Sequence, residues 1–142
     1  MTLWAKPSNT VGRVIISGLD ATGVSRSAFS ARSWADAPIT NVVLRGVRAE
    51  FTAGGKAWAA EQTVKGPGVD ARPLPSWGLY ARNVQTLTLE DVRLSLAADD
   101  LRPVIHADRV ERLTLDNFKF PSVPGVTQPF VTTIVAKLIQ NP

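Results

Sequence analysis

A chain of 142 residues with 44% hydrophobic and 20% charged side chains is composed like one globular domain, which sets aside disordered and fibrous classes. It has no cysteine, so disulfide stapling and thiolate metal sites are excluded, and no cofactor is expected. The net charge of +4 comes from cations scattered among acids, and no apolar stretch reaches the ~20 residues of a membrane span, so neither nucleic acid nor a membrane is an expected partner.

In chain order, the opening MTLWAKPSNT lacks the apolar middle of a signal peptide, which leaves localisation open. It is too short for a substantial cap helix, with Trp4 the residue placed to cover part of a core. Four related units follow: VGRVIISGLDA centred on Leu19, ITNVVLRGVRA on Val47, NVQTLTLEDVRLSL on Val92 and RVERLTLDNFKF on Phe118. Eight positions before each centre stand Val11, Ile39, Val84 and Val110; five before, Val14, Val42, Leu87 and Leu113; three before, Ile16, Leu44, Leu89 and Leu115. Two positions after the centres stand Ala21, Ala49, Leu94 and Phe120. The apolar steps therefore run three, two, three, two. Steps of two are strand alternation, and steps of three mark places where a strand turns a corner yet keeps pointing inward.

Copies of one bent-strand unit, none able to bury its apolar face alone, predict an all-β fold: a single right-handed parallel β-helix domain over 1–142, a short solenoid of about four to five rungs. Val14, Leu87, Leu89, Leu113 and Leu115 are its expected interior. Gly18, Gly46, Asp91 and Asn117 precede the four centres, and these residue types tolerate the left-handed backbone of a sharp corner. Arg48, Arg93 and Lys119 share one repeat position and should form an outward ladder about 5 Å per rung. Such a ladder costs stability unless acids intervene.

Between the second and third units the spacing opens to 45 residues (92 less 47), against 28 and 26 for the other gaps. The excess, at about 52–75, is rich in Gly and Pro and reads as a mobile loop leaving the solenoid, dispensable to it. Loops on rigid repeats are usual places for function. Trp58, Trp77 and Tyr80 are candidates to stack on sugar faces, and Lys56, Lys65 and Arg72 to meet uronate carboxylates; the competing reading has Trp77 and Tyr80 plugging the core. Asp99 and Asp100 read as an exposed turn, and His106, the only histidine, as a partly buried or rim residue. The tail PFVTTIVAKLIQNP suits a fifth, incomplete rung, since Val135 and Leu138 match Val110 and Leu113, with a capping helix as the alternative.

The segments ARSWADAPITNVVLRGVRAEFTAGG and LPSWGLYARNVQTLTLEDVRLSLAADDLRPVIHADRV resemble the trailing portion of polygalacturonase-like glycoside hydrolases, glycoside hydrolase family 28 of the pectin-lyase-like β-helices. The resemblance runs from about Val11 to Phe120 and covers only the family's non-catalytic C-terminal rungs. That family hydrolyses with clustered aspartates carried by Asn-Thr-Asp, Asp-Asp, Gly-His-Gly and Arg-Ile-Lys signatures. Here Asn9 and Thr10 are followed by Val11, His106 lies between Ile105 and Ala107, no Arg-Ile-Lys occurs, and the remaining pair, Asp99 and Asp100, falls in a segment that in relatives is a turn after the catalytic rungs. The resemblance thus implies a non-catalytic β-helix module without activity by itself and with no catalytic residue. The alternatives are a hydrolase of pectin-type polysaccharide, or a carbohydrate-binding protein. A polysaccharide is the expected ligand class, and a homo-oligomer formed through exposed solenoid ends the expected assembly.

Overall fold

The computed structural model describes residues 1–25, 28–66 and 74–142. Among these the chain is all-β apart from one 3-10 turn, Ala57–Glu61. The strands are β1 (Thr2–Ala5), β2 (Arg13–Ser17), β3 (Asp20–Val24), β4 (Phe29–Ser33), β5 (Ile39–Phe51), β6 (Leu79–Leu96), β7 (Ile105–Asp116) and β8 (Phe130–Asn141). They form one eight-stranded sheet, parallel at every pairing, that curls on itself. Each passage of the chain lies against the one before it, so β1 to β3 form a first tier, β4 and β5 a second, and β6, β7 and β8 the next three.

The positions expected to superpose do so. Val14 pairs with Val42, Val42 with Leu87, Leu87 with Leu113 and Leu113 with Leu138. Ile16, Leu44, Leu89 and Leu115 make the adjacent column, and Val47 pairs with Val92. Leu87, Leu89, Leu113 and Leu115 are buried in one continuous core with Ile39, Leu79 and Ile105, whereas Val14, on edge strand β2, is only half-buried. Each fully buried aliphatic side chain contributes about 1.5–3 kcal/mol relative to exposure.

Gly18, Gly46, Asp91 and Asn117 all take left-handed backbone, with φ of 67°, 58°, 52° and 48°, and so turn the corner where the repeat placed it. At the two corners lacking glycine the side chains support each other: Asn117 Nδ2 donates to Asp91 Oδ1 at 2.6 Å. A second column of left-handed corners, Asn83, Arg109 and Ile134 with φ of 53°, 53° and 55°, precedes Val84, Val110 and Val135. The sequence did not announce it, because Arg and Ile disfavour that backbone and adopt it only when stacked pairing on both flanks over-determines the turn.

The tail is strand β8, in register with β7 from Phe130 opposite Ile105 to Asn141 opposite Asp116, which sets the capping helix aside. At the other end the expected role of Trp4 is corrected. TLWA enters the sheet as β1 beside β4, and alternation sends Leu3 rather than Trp4 against the core. Trp4 instead lies beneath the ammonium of Lys6, 5.3 Å from the ring centroid.

The excursion between β5 and β6 also differs from a loop that merely leaves the body. Gly54 N–H donates to Asp99 O and Leu101 N–H to Gly55 O, so its start runs alongside residues 99–101. Ala59 is buried, as is every residue from Leu74 to Gly78, and Trp77 packs edge-on to Phe51 with ring centroids 5.6 Å apart. Both described ends of the insertion are structural.

Candidate functional site

Four strand beginnings stack side by side: Phe29–Ser33, then Leu79–Arg82, Ile105–Asp108 and Phe130–Thr133. Alternation turns Phe29, Ala31, Leu79, Ala81, Ile105 and Ala107 into the core and sends the residues between them to the opposite side. That opposite side carries Ser30, Tyr80 and His106 in one column and Arg32, Arg82 and Asp108 in the next. A sheet face of this kind normally meets water. Here Leu74 and half-buried Val64 of the insertion, together with Ala28 just before β4, pack on Tyr80, and Ser30, Arg32 and Tyr80 are almost without exposure.

On this face Arg82 engages both an acid and a ring. Arg82 Nη1 donates to Asp108 Oδ2 at 2.8 Å, and the Arg82 guanidinium lies 4.4 Å from the centroid of the Trp34 ring. Gly66 presses on the same tryptophan so closely that an added Cβ would overlap the indole. Burial pushes the Tyr80 hydroxyl above its ordinary pKa despite a hydrogen bond from Arg82. It likewise pulls His106 below the usual imidazole value, although Asp108 opposes that shift. The His106 ring meets Tyr80 edge-to-face with centroids 5.5 Å apart, so the histidine is the partly buried residue expected. Ser30 Oγ, Trp34 Nε1, Arg82 Nε and His106 Nδ1 are buried and make no hydrogen bond among the described residues.

Asp100 is not on an exposed turn. It is fully buried, and its carboxylate accepts hydrogen bonds from Gly55 N–H at 2.9 Å, Arg102 N–H at 3.0 Å, Arg102 Nε at 2.9 Å and Arg102 Nη2 at 2.7 Å. Arg102 Nη1 continues to Leu74 O at 2.9 Å, so one ion pair fastens both described ends of the insertion to the body. Gly55 is required there, because a Cβ would overlap Arg102 Nε and Asp100 Oδ1. Asp99, its neighbour, is exposed as the turn reading expected.

Of the residues proposed from sequence as a sugar site, Trp77 and Tyr80 lie on opposite sides of the sheet. Trp58 is 62% exposed on the 3-10 turn, Lys65 is exposed, Trp77 is buried in the core at 3%, and Tyr80 lies on the opposite side of the sheet under the insertion. Arg72 lies outside the described residues. Trp77 and Tyr80 therefore take the packing roles weighed against sugar stacking. Arg82, Asp108 and Arg102 were missed, although a signal existed for two of them. Arg82 and Asp108 stand 26 residues apart, one repeat, with opposite charges, and Arg45 with Glu90, paired at 2.8 Å, repeats the device across the 45-residue gap. Opposite charges one repeat apart become cross-strand neighbours.

On the outer side of the Gly, Asp and Asn corner, Asp20 aligns with Arg48, Arg48 with Arg93 and Arg93 with Lys119. This is the expected ladder, all exposed, along a groove of about 430 Å³ that also includes Asp91. Among the described residues no group of three His, Cys, Asp or Glu side chains is arranged to hold a metal ion. No family model matches the chain, and neither a curated protein nor a solved structure matches it.

Proposed function

We propose that the chain is a non-catalytic module of right-handed parallel β-helix, akin to the trailing rungs of polygalacturonase-like glycoside hydrolases, whose work is architectural. The stacked register of five tiers with two columns of left-handed corners supports the solenoid reading. The observation that carries the functional reading is the state of Asp100: Arg102 and Gly55 occupy the carboxylate, and burial withholds it from a substrate. Asp108 is likewise held by Arg82. An inverting glycosidase needs two carboxyl groups about 6.5–9.5 Å apart across an open cleft, one to protonate and one to activate water. Incubation of the pure protein with polygalacturonate and rhamnogalacturonan, read by reducing-end release, should give the buffer rate. Turnover by wild type that disappears in Asp108→Asn overturns the proposal.

Carbohydrate binding without chemistry is the second reading, favoured by the exposure of Trp58 beside Lys56. Titration with oligogalacturonides should then show binding that Trp58→Ala removes. Self-association belongs to the first reading, because among the described residues β8 pairs only with β7 and its other edge is open. Light scattering coupled to size exclusion at micromolar concentration tests it, and a single 15.3 kDa species refutes it.

A further inference from the structure

Beside the ion pair that anchors the insertion lies a second cavity of about 340 Å³, between the residues that lead into β6 and β7 and the chain that runs from β7 to β8. Its volume falls at the small end of the range typical of small-molecule sites, about 300–1,000 Å³. Two aromatic side chains, Trp77 and Phe120, line it, and each is held by another ring: Trp77 by Phe51 at 5.6 Å and Phe120 by Phe130 at 5.4 Å, both edge-on. Val104, Val123 and Val126 supply aliphatic surface. A turn carries the last two, closed by Val126 N–H donating to Val123 O at 3.2 Å, with Gly125 at φ 87°. Ring-on-ring packing of this kind pre-organises the two aromatic walls.

The buried charged side chain in the lining is Arg102, at 6% exposure. Its guanidinium bonds Asp100 through Nε and Nη2 and Leu74 O through Nη1, and a guanidinium carries more N–H groups than these bonds use. Asp100, which is not part of the lining, already neutralises it. Arg102 therefore retains N–H groups to donate and, paired with Asp100, adds no net positive charge to the lining. A carboxylate entering it would be desolvated while facing a site whose cation is already paired, whereas a carbonyl oxygen accepts the same bond at far smaller desolvation cost.

We propose that this cavity binds a small uncharged molecule with one aromatic or alicyclic ring and one carbonyl-type acceptor, the ring between Trp77 and the valines and the acceptor on Arg102. The proposal goes beyond the architectural reading and does not depend on it. The test titrates the full chain with benzamide, benzoate and toluene up to about 10 mM, followed by NMR with methyl-labelled valine. Benzamide should bind at least tenfold more tightly than benzoate or toluene, with intermolecular Overhauser effects to the methyls of Val104, Val123 and Val126. Val126→Trp, which fills the cavity from its turn, should weaken benzamide at least tenfold. Because the Overhauser contacts are read on wild type, the assignment stands or falls even if that variant does not fold. Preference for benzoate, contacts only at other methyls, or no saturable shift with any of the three, the result of a mere packing void, each overturns it.

Discussion

Replacing Arg102 with Met keeps most of the side chain's volume and removes its charge. The substitution forfeits two hydrogen bonds to Asp100 and one to Leu74 O, and leaves a fully buried carboxylate with only the N–H groups of Gly55 and residue 102. Breaking a buried pair from one side costs about 3–5 kcal/mol. A typical domain has about 5–15 kcal/mol in all, so much of the stability goes. The loss should depend on pH. Burial by itself raises the Asp100 pKa, but the bonds from Arg102 and Gly55 outweigh it and hold the carboxyl below the ordinary value of 3.8. A group depressed in the folded state adds stability above its unfolded pKa and loses it as pH falls below that value. Without Arg102, burial dominates, the carboxyl protonates more readily, and the deficit of the variant narrows on acidification. Urea unfolding followed by tryptophan fluorescence, near pH 7 and near pH 4.5, measures both quantities. A loss below about 1 kcal/mol, or an equal loss at both pH values, would refute the claim that this pair clamps the insertion. Adding Asp100→Asn to Arg102→Met should recover part of the loss near pH 7, since the amide brings no unpaired charge.

Leu89→Asp, at a position 1% exposed among stacked aliphatic side chains, should abolish cooperative folding, and an unchanged circular dichroism melt would show the register to be wrong. Gly46→Ala should cost about 1–2 kcal/mol and Gly46→Asn less, because φ is 58° and an added Cβ meets nothing nearer than Gly18 N at 3.9 Å; equal costs in urea midpoints would point to sterics instead of backbone conformation. His106→Gln should flatten the decline of stability between about pH 7 and pH 5. Burial depresses the folded pKa against Asp108, so the wild-type contribution is complete above the ordinary value of 6.5 and is lost as pH falls; parallel pH profiles would refute this.

The columns of Val14, Val42, Leu87 and Leu113 and of Ile16, Leu44, Leu89 and Leu115 could be read from sequence because stacked identical units must place like residues at like positions. The corner at Gly18, Gly46, Asp91 and Asn117 was equally legible, since left-handed backbone carries a local penalty that only a few residue types avoid. The corner at Asn83, Arg109 and Ile134 was not: there the pairing of whole strands overrides what Arg and Ile prefer. Trp58 and Trp77 both lie between β5 and β6, yet one is 62% exposed and the other 3%, a difference no local pattern contains. Asp100 shows the same limit. Its neighbours in sequence made it a turn residue, and it became a buried anchor because folding brings Gly55, 45 residues away, and Leu74 to the same ion pair. Periodicity records contacts between equivalent positions of successive tiers. Contacts between a repeat and an insertion have no equivalent to be compared with, and only the folded chain decides them.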